Sequence, residues 1–485
     1  MSLINSGNTE LDGLYLYGSG ENDQLSPIKE DEKYEDLFET KTPLKIPLHF
    51  ISPVEKIKLI KCGQMFTMIL STEGNVYTFG CSDNGGIGHE DSISVKKVNI
   101  NFKAIGISGG DCHGLAYNEN SLAFWGQFRN SQGGMGDPCI DIKYYNSNFI
   151  NSEKFKKVIS GTNHVLILTE EKNIFAFGNK EYGQRGIDPM TNIHHLSINR
   201  INEYNVDDIF TGDEHCFLII NNNNNQIVKS WGLNTKGQLG IGTSALDDDN
   251  NTNIFIPTNI DFPKNLKIKE ISGGSGTSIC LTEDNRVFVW GGNDDNLLGL
   301  NDDEVVINKP KELIFFNPNT NPQNEVNELT ATFQSFYARN TNNNKVYSWG
   351  SGDSYILGNK KEKAEKKPYL IDNKFFKNLK ITDLDLGCSH VAVVLTKDER
   401  LYNNYENENE KKEIKKEKEI ISEEKNNKPI PIKRRTDNYY DENNNNNLNK
   451  NEDNFPKLKK YGIREEYITL NIKDRPKTKS KLFKI

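Results

Sequence analysis

Apolar and polar residues alternate over short runs along most of the chain, as in Asn75-Val76-Tyr77-Thr78-Phe79, Arg286-Val287-Phe288-Val289-Trp290 and Lys345-Val346-Tyr347-Ser348-Trp349. A period of two sends successive side chains to opposite faces of a pleated strand, so the pattern predicts many short strands rather than helices. The runs end in an aromatic residue followed by glycine: Tyr17-Gly18, Phe79-Gly80, Trp125-Gly126, Phe177-Gly178, Trp231-Gly232, Trp290-Gly291 and Trp349-Gly350. These copies lie about 46 to 62 residues apart, the spacing of a repeat architecture. Turns rich in Gly, Asn and Asp follow them, such as Ser82-Asp83-Asn84-Gly85, Lys180-Glu181-Tyr182-Gly183-Gln184 and Asn234-Thr235-Lys236-Gly237-Gln238-Leu239-Gly240. Residues of this kind tolerate positive φ and let the chain reverse sharply.

A second element, Gly-x-x-His and then an apolar run, precedes the strands at Gly110–His113, Gly161–His164, Gly212–His215 and Gly387–His390, with Phe66 and Thr277 in the histidine's place in two more copies. A seventh copy, near Phe333, is degenerate. The order of the two elements carries a closure argument. The chain opens on an aromatic-Gly half-repeat, Leu14 to Leu25, and the last repeat, Asp385 to Tyr402, has Gly-x-x-His without its aromatic-Gly. Pairing the two halves closes a ring of seven four-stranded blades and leaves no sheet edge at the seam. The expected fold is all-β, a seven-bladed β-propeller over residues 13–403.

Composition changes at Asn403. Residues 404–485 are rich in Glu, Lys and Asn, with an Asn run at 443–447. Such a stretch buries too little apolar surface to offset its ordering entropy, and a disordered tail is expected. It carries about 21 Lys/Arg against about 16 Asp/Glu; the whole chain is at −8, so the body is near −13. An acidic body is a poor ligand for the phosphate backbone of nucleic acid and a better one for a basic protein surface. The first residues lack a signal-peptide pattern, and no run approaches the roughly 18 apolar residues of a membrane span. Seven widely spaced cysteines without a CxxC pair argue against both a disulfide framework and a zinc site, which points to a reducing compartment.

The aromatic-Gly strand, the Gly-Gln-Leu-Gly turn and the Gly-x-x-His element together resemble the repeat of the regulator of chromosome condensation family, propellers whose founding member exchanges nucleotide on the small GTPase Ran. One stretch departs from the ordinary repeat. After Trp125-Gly126-Gln127 it reads Phe128-Arg129-Asn130-Ser131-Gln132-Gly133-Gly134, which is similar to the β-wedge hairpin that the family's exchange factors push against the GTPase. The resemblance implies a guanine nucleotide exchange factor for a Ran-type GTPase, a monomer without cofactor or membrane contact. Phe128, Arg129, Asn130, Ser131, Gln132, Gly133, Gly134 and Asp111, which matches a family acidic residue, would form the contact face. It further implies a nuclear protein, with cytoplasm as the alternative, that supports nucleocytoplasmic transport and chromosome and spindle organisation and touches nucleosomes. The family's basic N-terminal tail has no counterpart here, so Lys433-Arg434-Arg435 is the candidate nuclear localisation signal.

Two departures favour the rival reading, a non-catalytic propeller scaffold binding chromatin or another protein: Asn163 stands where the family has an acidic residue, and Gly276 where it has a histidine. The remaining features read as structural. His113, His164, His215 and His390 fall on different blades and are expected to satisfy backbone groups within their own blade. The four tryptophans occupy core positions, and Gly273–Gly276 lacks the Gly-Lys-Ser/Thr of a phosphate loop. Asp213 and Glu214 read as solvated rim charge. No Ser/His/Asp spacing or ligand cluster suggests a hydrolase or metalloenzyme.

Overall fold

The computed structural model describes residues 13–21, 23–25, 39–48, 55–90, 94–222, 225–244 and 253–397. The expected tail 404–485, with Lys433, Arg434 and Arg435, lies outside the described residues. Strands β1 (Gly13–Ser19) and β2 (Glu39–Lys45) form the outer half of blade seven. Blade one is β3 (Ile57–Cys62), β4 (Phe66–Ser71), β5 (Val76–Gly80) and β6 (Lys96–Lys97). Blade two is β7 (Gly106–Gly109), β8 (Cys112–Tyr117), β9 (Ser121–Gln127) and β12 (Cys139–Asn146); the hairpin β10 (Arg129–Asn130) and β11 (Gly133–Gly134) is interposed before its last strand. Blades three to six repeat the four-strand order over β13 (Phe155–Ser160) to β16 (Asn199–Arg200), β17 (Asp208–Thr211) to β20 (Asn253–Asn259), β21 (Ile268–Gly273) to β24 (Val306–Glu312) and β25 (Glu328–Thr332) to β28 (Glu365–Leu370). Then β29 (Lys380–Leu386) and β30 (His390–Thr396) complete blade seven.

Ring closure follows the expected pairing: β1 runs antiparallel to β30, with Gly13 opposite Leu395 and Gly18 opposite His390. The seam to blade one is reinforced by two carboxylates on β29. Asp383 Oδ2 accepts from Ile60 N and Asp385 Oδ2 from Cys62 N, both at 2.8 Å, and Asp385 Oδ1 pairs with Lys61 at 3.3 Å. The inner strands of all seven blades enclose a central cavity of about 350 Å³.

Both repeat motifs serve as staples between blades. Each tryptophan is fully buried and donates its indole N–H backwards to the turn of the preceding blade: Trp125 to Gly86 O (2.9 Å), Trp231 to Gln184 O (2.9 Å), Trp290 to Gln238 O (2.8 Å) and Trp349 to Leu298 O (3.3 Å). The turn glycine lies under the indole, and a Cβ on Gly240 would sit 2.8 Å from Trp290 Nε1. Tyr17 does the same through a relay. Tyr337 gives its one proton to Ile356 O, so Tyr17 must donate to Tyr337 across 2.7 Å.

The histidines reach forwards instead. Nε2 of His113 bonds Ser160 Oγ (3.1 Å), His164 bonds Cys216 Sγ (3.0 Å), His215 bonds Ser278 Oγ (2.9 Å) and His390 bonds Thr67 Oγ1 (3.0 Å), each on the next blade. They are structural, but the expectation that they act within their own blade is corrected: a ring nitrogen placed at the blade edge meets the neighbour's strand first. Burial holds His113, His164 and His215 down to about 3 and His390 to about 4, so all four are neutral at pH 7. Register also settles the degenerate copy. Ser335 lies opposite Gly350 as His113 lies opposite Gly126, so serine holds the histidine's place in blade six.

Candidate functional site

The Gly-x-x-His turns of the seven blades gather at one end of the cavity and are joined there by a collar of backbone hydrogen bonds. Gln64 N donates to Gly110 O, Asp111 N to Thr162 O, Thr162 N to Asp213 O, Asp213 N to Gly274 O, Ser275 N to Phe333 O and Cys388 N to Gln64 O, at 2.8 to 3.4 Å. Strand β9 ends at this mouth, with Gln127 opposite Cys112. The departure from the ordinary repeat therefore leaves the sheet beside Asp111.

Its geometry is that of a separate finger. Arg129 pairs with Gly134 and Asn130 with Gly133 around the two-residue tip Ser131-Gln132. Gly133 takes φ +118° with open space around it, a conformation costly for other residues. Gly134 is needed for a different reason: a Cβ there would press into the Gln127 side chain at 2.3 Å. The finger is rooted by Phe128, which is 1% exposed and packs on His113 (ring centroids 4.6 Å apart), Phe124 (4.8 Å) and Phe177 (5.6 Å). The sequence groups Phe128 with the contact residues; the structure instead makes it the anchor, because a large apolar ring at the mouth is drawn into the core between blades two and three. Arg129, Ser131 and Gln132 are exposed.

Two clamps hold the finger against blade three. Arg129 N donates to Asn163 Oδ1 (2.8 Å), and Ser131 donates to the Glu181 carboxylate through its backbone N–H (2.9 Å) and its hydroxyl. On the blade-two side, Arg129 Nη1 lies 3.2 Å from Asp111 Oδ2, and this carboxylate raises the guanidinium pKa above its ordinary value. Asn163 also bridges to the next blade, since its Nδ2 donates to Glu214 Oε1 at 3.4 Å while its Oδ1 serves Arg129. An amide donates and accepts at once, which a carboxylate facing Glu214 could not do. Lys236 covers Gly276, where any Cβ would meet its Cγ at 3.2 Å, and pairs with Asp294 at 3.0 Å.

Asp213 and Glu214 are not the freely solvated rim charges expected. Asp213 accepts from Gln64 Nε2 (3.4 Å) and Glu214 from Gln184 Nε2 (2.5 Å). Burial pushes Asp213 up to about 6 and Glu214 up to about 7, and the proximity of the two carboxylates and Asp111 adds to it. Among the described residues no group of three metal-ligating side chains is close enough to hold an ion.

Sequence reasoning missed Arg185. It occupies the leucine slot of the Gln-Leu-Gly turn, yet is 0% exposed, with its guanidinium donating to Asn199 Oδ1 (2.7 Å), Ser197 O (2.7 Å) and His194 O (3.2 Å). Burial lowers it only to about 10, so it stays charged. It organises the loop that places His195 edge-on to Phe128, 6.4 Å between centroids. Arg185→Leu restores the repeat residue but strands those carbonyls, and should lower unfolding free energy by about 2–3 kcal/mol in a urea titration.

A closed seven-bladed ring, stapled by repeat tryptophans and histidines and bearing one finger at its mouth, defines a class of propeller. The chain belongs to the family described as the RCC1-like domain, whose model matches residues 13–410. It is 26% identical to the mouse regulator of chromosome condensation over 422 residues, covering 81% of this chain and 93% of that one. Over 355 residues it is 24% identical to the guanine nucleotide exchange factor SRM1 of Saccharomyces cerevisiae, 63% of this chain and 72% of the relative. Among solved structures, Prp20p of Saccharomyces cerevisiae, described with its binding to Gsp1p and histones, superposes with a TM-score of 0.69 at 22% identity, covering 83% of this chain and 96% of Prp20p.

Proposed function

We propose that the protein is a guanine nucleotide exchange factor for a Ran-type small GTPase. The observation that carries this reading is the exposed polar tip Ser131-Gln132, rooted through Phe128 in a rigid blade and standing beside Asp111. An exchange factor breaks no bond. It binds the nucleotide-free GTPase more tightly than the loaded one, and by linkage weakens the nucleotide by the same factor. A finger preorganised by three clamps loses little freedom on docking, so its contacts are free to act on the GTPase. The acidic mouth suits the basic groups that otherwise hold phosphates, and on this reading the Asp111 carboxylate competes with the phosphates for them. Relatives named for chromosome condensation and nucleotide exchange support the same assignment. On this reading the protein works in the nucleus as a monomer, reaches chromatin through its partners or its basic tail, and Lys433, Arg434 and Arg435 serve its import.

A non-catalytic scaffold is the second reading, favoured by Asp111 already being paired with Arg129 and by Lys236 covering Gly276. Release of fluorescent GDP from a Ran-type GTPase decides between them. Acceleration by catalytic amounts of the purified protein is expected, and an unchanged release rate leaves the scaffold.

A further inference from the structure

Phe333 stands out on the mouth collar. Its φ is +37°, although phenylalanine avoids positive φ, and its side chain is 49% exposed. The turn of blade six is tighter than the other six: its ladder runs one pair further, to Thr332 opposite Ser335, and leaves a two-residue hairpin, Phe333-Gln334, whose first position takes positive φ and favours glycine. The other turns leave four residues between the same ladder positions, for example Gly109 to Gly114 and Thr211 to Cys216. At the corresponding residues of the other six, Gln64, Asp111, Thr162, Asp213, Ser275 and Cys388, φ is not positive. Neither is the ring held by the core: it enters none of the hydrophobic clusters, and no described aromatic ring pairs with it. Only its backbone is engaged, the carbonyl accepting from Ser275 N at 2.9 Å. Glycine would make that bond without strain, so the aromatic side chain is retained at a cost to the fold.

The collar links Phe333 to acidic side chains in both directions. Two blades back round the ring, through Ser275 and Gly274 of blade five, lie Asp213 and Glu214 of blade four; on its own blade, Gln334 O accepts from Ser351 N, whose hydroxyl bonds the exposed Asp353. An exposed aromatic flanked along the collar by acidic groups matches a surface with an apolar recess edged by lysine or arginine. We propose that Phe333 is an aromatic anchor for the same GTPase that the finger engages, gripping it from blade six while the finger acts from blade two. This inference rests on the exchange-factor reading and names a second contact for it. Two contacts on opposite sides of the mouth fix the orientation of the GTPase relative to the finger.

The test uses the full chain and a nucleotide-free Ran-type GTPase. Phe333→Gly should raise the melting midpoint by about 2 °C, since strain is relieved, and weaken binding by about 30-fold. Phe333→Trp should keep most of the affinity. Undiminished binding by Phe333→Gly, with binding lost on replacing the finger, overturns the anchor and leaves the exchange-factor reading standing. A lowered melting midpoint in Phe333→Gly also overturns it, because the side chain would then be structural. Failure of the unmodified protein to bind the empty GTPase overturns both readings together.

Discussion

Replacing Arg129–Gly134 by Asn-Gly, so that Phe128 leads through a plain turn to Met135, is expected to cut stimulated GDP release by about 100-fold, the loss of roughly 3 kcal/mol of contacts made only with the empty GTPase. Stability should change little. The tip is exposed, and the root stays in place because Phe128 and its ring contacts are untouched. Met135 N already donates to Phe128 O at 2.8 Å, so the shortened turn closes on an existing bond. Two point variants separate the roles within the site. The Asp111–Arg129 pair is partly exposed, the arginine side chain by 46%, so breaking it costs the fold at most about 1 kcal/mol. If Asp111 meets a cation of the GTPase, Arg129→Ala releases the carboxylate and activity holds or rises, whereas Asp111→Asn lowers it. Should the arginine itself be the contact, the order reverses. Unaltered GDP release after removal of the whole finger would assign the protein to the scaffold class.

How far the sequence could be read depended on whether the controlling contact was local or between blades. The strands and the closure of β1 on β30 are legible because period-two alternation and the two motifs are written in neighbouring residues, whereas the register of the degenerate copy in blade six is not. Nor is the direction of the histidine bonds, since the partner of His215 is Ser278, 63 residues away, and nothing near His215 marks it. Phe128 carries a signal of its own: it is the one large apolar residue in a polar run, and such residues seek the core even inside loops. Arg185 carries another, as a charge in the slot where Gln238-Leu239-Gly240 has leucine. Asn163 looks in the sequence like a lost carboxylate. With Glu214 at 3.4 Å, its amide satisfies the finger and the neighbouring acid together, a role visible only once three blades are assembled.

The four staple histidines make the fold sensitive to mild acid. Each has a folded pKa of about 3 or 4 against an ordinary value of 6.5, so below pH 6.5 the unfolded chain takes up protons that the folded one refuses. Stability then falls by about 1.4 kcal/mol per pH unit per histidine. Asp213 and Glu214 act in the opposite sense: their folded pKa values of about 6 and 7 lie above the ordinary carboxylate range, so the folded state binds protons first as pH drops through that window. From pH 7 to 5 the histidines cost about 8 kcal/mol, and the two carboxyls, counted in full, return about 3.5, a net loss of about 4 kcal/mol. Below pH 4.5 the loss deepens as Glu312, held under its usual range by Arg286, takes up a proton. Urea unfolding at pH 7 and pH 5 measures the difference. His215→Asn should remove about 1.4 kcal/mol per pH unit from the slope between pH 6 and 5, because the amide has no proton to refuse. A stability curve flat from pH 7 to 5 would mean that the staples accept protons in the folded ring, which requires an acceptor or water at the Nδ1 atoms that have no hydrogen-bond partner in the structure.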